Sequence, residues 1–164
     1  MLTALALVLL VVCLLGAAAS DAAKYRIPNT LCLGVVAAFL IYAAGAALSF
    51  SVLGAHLAAG VAVLVVAAAG FALRLMGGGD AKLLAAVALW LGWKGLPPFL
   101  LLMAVIGGVL ALMLLAARRL APKPIPTGRW WSALLLRRGD VPYGVAISAA
   151  TLILLARFPG ELLP

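Results

Sequence analysis

Two carboxylates stand where a hydrophobic chain has least reason to keep them. Only four of the 164 residues are acidic, Asp21, Asp80, Asp140 and Glu161. Asp21 closes the first apolar run, and Asp80 lies between an apolar stretch ending near Met76 and another starting at Leu83, in Gly77-Gly78-Gly79-Asp80-Ala81-Lys82. An aspartate at the centre of a membrane helix costs roughly 2.5–3.5 kcal/mol, and less towards the ends, so one retained there has a partner, a wet cavity or a function. Two carboxylates a few ångströms apart do not both ionise easily, so one holds a proton while the other stays charged. Such a pair orients a water: the charged member takes the water's proton as it attacks a peptide carbonyl, and the protonated member donates to the carbonyl oxygen. The same pair could equally bind a cation or relay protons in a channel, carrier or assembly subunit.

Composition supplies the setting. Hydrophobic residues make up 68% of the chain and charged residues 10%, which places it among polytopic membrane proteins rather than soluble domains. The net charge of +8 is spread over short loops, with no soluble domain left to carry a nucleic-acid-binding face. Apolar segments fall at about residues 1–19, 30–50, 52–75, 81–93, 99–117 and 141–157, predicting an all-α fold of about six transmembrane helices in one domain, 1–164.

The first segment has a rival reading as a secretory signal peptide, because Ala17-Ala18-Ala19-Ser20 resembles a cleavage region. No Lys or Arg precedes it, however, whereas Lys24 and Arg26 follow, which favours a retained helix ending in the cytoplasm. With that loop inside, ten of the twelve basic residues are cytoplasmic and only Lys94 and Arg157 are outside. Both termini are then external, and Asp21 and Asp80 share one depth on the cytoplasmic side. The short fourth segment suggests that the glycine triplet and Asp80 dip below the interface. Residues 118–140 are rich in Arg, Lys and Pro, and Trp130-Trp131 suggests a short helix on the membrane surface held by anionic lipid.

The remaining polar residues invite plainer accounts. Cys13 and Cys32 lie one to an apolar segment, so they read as packing residues rather than as a disulfide or metal site. His56 has no second histidine to join it and reads as interfacial, as do Trp90 and Trp93. No metal or other cofactor is expected. Pro28 suits the first turn of a new helix, Asn29 or Thr30 could cap it, and Asp140 reads as the N-cap of the last segment. Gly107-Gly108 reads as a close helix-packing surface. Lys82 is two positions from Asp80, a spacing that turns the side chains apart on a helix, so snorkelling or substrate contact is favoured over a direct pair.

Gly77-Gly78-Gly79-Asp80-Ala81-Lys82-Leu83 resembles the GxGDxKL pattern of the GxGD-type intramembrane aspartic proteases. Asp21-Ala22-Ala23-Lys24-Tyr25-Arg26-Ile27-Pro28-Asn29 is similar to the first-aspartate motif of bacterial type IV prepilin peptidases. The length, the six spans and the Val141-Pro142-Tyr143-Gly144 opening of the last helix resemble the short form serving Flp-type (tight-adherence) pili. The resemblance implies a protease of the bacterial cytoplasmic membrane acting on prepilins or pseudopilins, with Asp21 and Asp80 as the catalytic pair. Arg26, Pro28, Asn29, Gly77, Gly79 and Lys82 carry over as motif residues without individual roles. Presenilin-like and archaeal preflagellin peptidases are the neighbouring alternatives. Larger prepilin peptidases carry paired CxxC motifs and methylate the new amino terminus; this sequence has no CxxC, which implies cleavage without methylation.

Overall fold

The computed structural model describes residues 1–121 and 141–158. Among these the chain forms five helices and no strand: α1 (Leu2–Lys24), α2 (Asn29–Gly45), α3 (Phe50–Ala72), α4 (Gly78–Leu120) and α5 (Tyr143–Arg157). Of these α1, α3 and α4 are long and apolar enough to cross a membrane, while α2 and α5 are apolar but shorter. Trp130-Trp131, Asp140 and Glu161 lie outside the described residues.

The fourth and fifth apolar segments are two arms of α4, which breaks at Gly92 (φ 56°, ψ −169°). If α4 were straight, Asp80 and Met103 would be about 35 Å apart at 1.5 Å per residue. They line the same cavity, so the chain doubles back around Gly92, Pro97 and Pro98. That backbone geometry is essentially reserved for glycine. The break also frees the Leu89 carbonyl, and His56 of α3 bonds to it through Nδ1 at 2.7 Å. A Cβ on Gly92 would come within 2.8 Å of the same imidazole. His56 therefore caps a broken helix, a more specific task than residing at the interface. Gly92→Ala combines a disallowed conformation with this collision and is expected to destabilise the fold by about 1–3 kcal/mol. A thermal melt of the purified variant checks it, and an unchanged melting temperature contradicts it.

The core runs along the bundle axis. Ala6, Leu10, Leu14 and Ala17 put one stripe of α1 fully inside, against Val35 and Phe39 of α2 and Ile147 and Ala150 of α5. The first segment is thus an integral wall of the bundle. Leu5, Val8, Val12 and Leu15 on its other face are exposed, as a lipid-facing surface should be. Trp90 is fully buried, donating its indole N–H to the Val35 carbonyl at 3.0 Å and packing against Phe39 and Tyr42. This corrects its assignment to an interfacial belt; Trp93, half exposed, still suits one. Cys13 and Cys32 are buried free thiols. Gly107 packs close to Tyr143, where a Cβ would sit 3.1 Å from the ring, whereas Gly108 faces open space.

Candidate active site

Both aspartates are carried by helix ends that meet at one end of the bundle. Asp21 lies in the last turn of α1, which Tyr25 terminates in the left-handed conformation (φ 53°) with its N–H on the Asp21 carbonyl at 2.8 Å. The chain then reverses, and Ser20 Oγ donates to the Arg26 carbonyl at 2.7 Å, fixing the return. Pro28 is the N-cap of α2 rather than a first-turn residue, and no side chain caps the helix.

Asp80 is the third residue of α4, after Gly77 at the N-cap. Its carboxylate reaches back to the Gly77 amide, one half of a capping box. The glycine triplet is accordingly helical from Gly78 onward instead of an irregular dip. The glycines have packing reasons. A Cβ on Gly77 would lie 2.9 Å from Asp80 Oδ2, and one on Gly79 would lie 3.1 Å from Ile27 Cβ and 3.4 Å from the Ile27 amide nitrogen. Gly79 thus lets the first turn of α4 press against the connector that follows Asp21.

The start of α5 completes the arrangement. Asp21 is 5% exposed, and its Oδ2 accepts the Gly144 N–H at 2.7 Å. Tyr143, the preceding residue, helps to line a cavity of about 210 Å³ shared with Asp80, Met76, Leu84, Met103 and Ile147. One water needs only about 10–15 Å³ of such space, so the cavity has room for water and part of a peptide. Both aspartates therefore flank the start of α5, Asp21 on the Gly144 amide and Asp80 in the cavity that Tyr143 and Ile147 line. Two successive amides in the first turn of α5, Gly144 and Val145, thus anchor the Asp21 carboxylate.

The motif residues divide into two groups. Gly77 and Gly79 belong with the aspartates. Lys82 and Asn29 form a separate pair, Lys82 Nζ donating to Asn29 Oδ1 at 2.9 Å and tying α4 to the start of α2. Lys82 thus does not pair with Asp80, as their spacing predicts, and Asn29 serves as an acceptor instead of a cap. Arg26 is exposed and does not line this cavity. Gly144, Tyr143 and Ile27 were not singled out by residue type; their signs in the sequence are the Val141-Pro142-Tyr143-Gly144 opening of the last helix and, for Ile27, the Asp21–Asn29 motif.

The sequence profile of the Type IV leader peptidase family matches residues 8–112, a stretch that includes both aspartates. The chain belongs to this family. Prepilin leader peptidase/N-methyltransferases of Aeromonas salmonicida and Aeromonas hydrophila are 46% identical to it over 66 residues. That match covers 37% of this chain and 23% of each of theirs. No solved structure matches the chain. Among the described residues no cluster of His, Cys, Asp and Glu has the makings of a metal site.

Proposed function

We propose that this chain is an aspartic endopeptidase of the bacterial cytoplasmic membrane that removes the short basic leader from Flp-type prepilins or pseudopilins. The observation that carries the reading is the convergence of Asp21 and Asp80, both inside the matched family region, at the start of α5. One carboxylate accepts a proton from the attacking water while the other, protonated, polarises the scissile carbonyl; the proton then passes to the leaving amine. The substrate's apolar stretch lies in the bilayer and its leader in the cytoplasm, bringing the scissile bond to the depth of the pair. By family resemblance the leader ends in Gly. Co-expression with a candidate Flp-type prepilin tests this: a shortened pilin band is expected, and an unprocessed one for every prepilin of the host argues against it.

Orientation is part of the proposal. Lys24, Arg26, Arg74, Lys82, Arg118 and Arg119 cluster with the aspartates, Arg118 reaching Tyr25 at 3.5 Å, while Lys94 and Arg157 lie at the opposite end. By the positive-inside tendency the aspartate end faces the cytoplasm. Cysteine labelling is expected to find Lys24 and Gly78 positions inside and Ser51 and Gly95 positions outside. External labelling at either aspartate loop excludes the shared cytoplasmic site.

Methylation is not expected of this chain by itself. A nucleotide-containing methyl donor needs a folded pocket of several hundred cubic ångströms with convergent polar groups. A larger groove among the described residues, about 550 Å³, is lined almost wholly by apolar side chains. Mass spectrometry of pilin processed by this chain should find an unmodified new amino terminus; a gain of one methyl group contradicts this.

A further inference from the structure

That larger groove has the shape and chemistry of a lipid site. It runs between α2 and α3 over the first arm of α4, lined by Leu33 and Val36, Leu57 and Val61, and Ala86 and Leu89. Both helices pack on α4, but they hardly touch one another except where Phe39 stacks on His56, with ring centroids 5.9 Å apart. The groove is therefore a slot between the two helices, apolar along its length, with Asn29 and Lys82 as its polar mouth at the aspartate end. From Lys82 to Leu89 it extends about 10 Å along the helix.

The mouth identifies the occupant. Lys82 makes no ion pair among the described residues, its one hydrogen-bonding partner being the neutral Asn29 side chain. Because an ammonium only donates, Asn29 must turn its oxygen to Lys82, which leaves the amide NH₂ as a further donor. A cation beside amide donors at the polar end of an apolar slot fits a phosphate headgroup with its acyl chain behind it. A substrate helix fits less well. Asp80 and Lys82 are two residues apart, about 200° around the helix, so this groove and the Asp80 cavity are on opposite sides of the α4 arm. We infer that the α2–α3 groove binds one anionic phospholipid of the cytoplasmic leaflet, its phosphate on Lys82 and Asn29 and an acyl chain between Val36, Val61 and Leu89.

Native mass spectrometry of the purified full chain, titrated with phosphatidylglycerol or phosphatidylcholine of identical acyl chains, tests this. The expected preference for phosphatidylglycerol is about fivefold, the ratio appropriate to one lysine near a membrane surface. Lys82→Met should erase the preference, and Val61→Trp, at an exposed position on the groove's rim, should weaken both lipids together. Both variants are checked first for an unchanged thermal melt. Asp80→Asn should bind lipid like the parent, so a failure of the protease reading is distinguishable from a failure here. An undiminished preference in Lys82→Met, undiminished binding in Val61→Trp, displacement by soluble glycerol phosphate, or competition by an apolar pilin-segment peptide would each overturn the assignment.

Discussion

Asp21→Asn and Asp80→Asn are each expected to lower prepilin cleavage by about three orders of magnitude or more while leaving the protein inserted and abundant. A positioned acid or base contributes typically ~10²–10⁴-fold, and neither role can be filled by an amide. Fold is spared because Asn keeps the volume and an acceptor oxygen. At position 21 that oxygen can still take the Gly144 N–H, and at position 80 it can still face the Gly77 amide. Processed fraction in co-expression, normalised to the membrane content of each variant, is the readout. Robust cleavage by either variant would refute the shared acid–base mechanism, and a defect in ion flux with normal cleavage would point to the channel reading.

Gly144→Ala should also be damaging, though position 144 carries no reactive group. An added Cβ would stand 2.9 Å from Asp21 Oδ2, 3.1 Å from Asp21 Cβ and 2.7 Å from Ile27 Cδ1. The Ile27 methyl can swing away, but the Asp21 carboxylate is held at 2.7 Å by the same residue's N–H and cannot retreat without losing it. A displacement of about 1 Å at a reacting group can cost ~10²-fold. The expected loss is ten- to a hundredfold in cleavage with little change in substrate affinity. Ile27→Val removes the Ile27 methyl from the collision and should not restore activity to Gly144→Ala. Restoration would mean that packing, and not the carboxylate's position, is what Gly144 protects.

Much of this was legible in the sequence because membrane proteins write their constraints plainly. Uninterrupted apolar runs leave little choice but helices, and with so few acidic residues Asp21 and Asp80 could hardly be overlooked. The spacing of Lys82 from Asp80 correctly separated their side chains. Three things were less accessible. The fusion of two apolar segments across Gly92 depends on a single backbone conformation and on His56 reaching the Leu89 carbonyl, a contact 33 residues away in sequence. Trp90 looks interfacial by type, yet the Val35 carbonyl gives its indole N–H a partner inside the bundle. Gly144 stood out only as part of the Val141-Pro142-Tyr143-Gly144 opening, and its role was hidden because it is to be close to a residue 123 positions earlier. The glycine triplet read as an irregular dip, whereas Gly77 makes room for the Asp80 carboxylate and Gly79 for the Ile27 connector.

The most direct test reconstitutes the purified chain, with nothing else from its host, into liposomes together with an Flp-type prepilin, and reads the pilin's amino-terminal mass. The account predicts a product beginning after the leader's last residue, unmethylated, formed by the parent protein and by neither Asp21→Asn nor Asp80→Asn, with no ion leak across the vesicles. An intact prepilin accompanied by a cation flux that depends on Asp21 and Asp80 would contradict it.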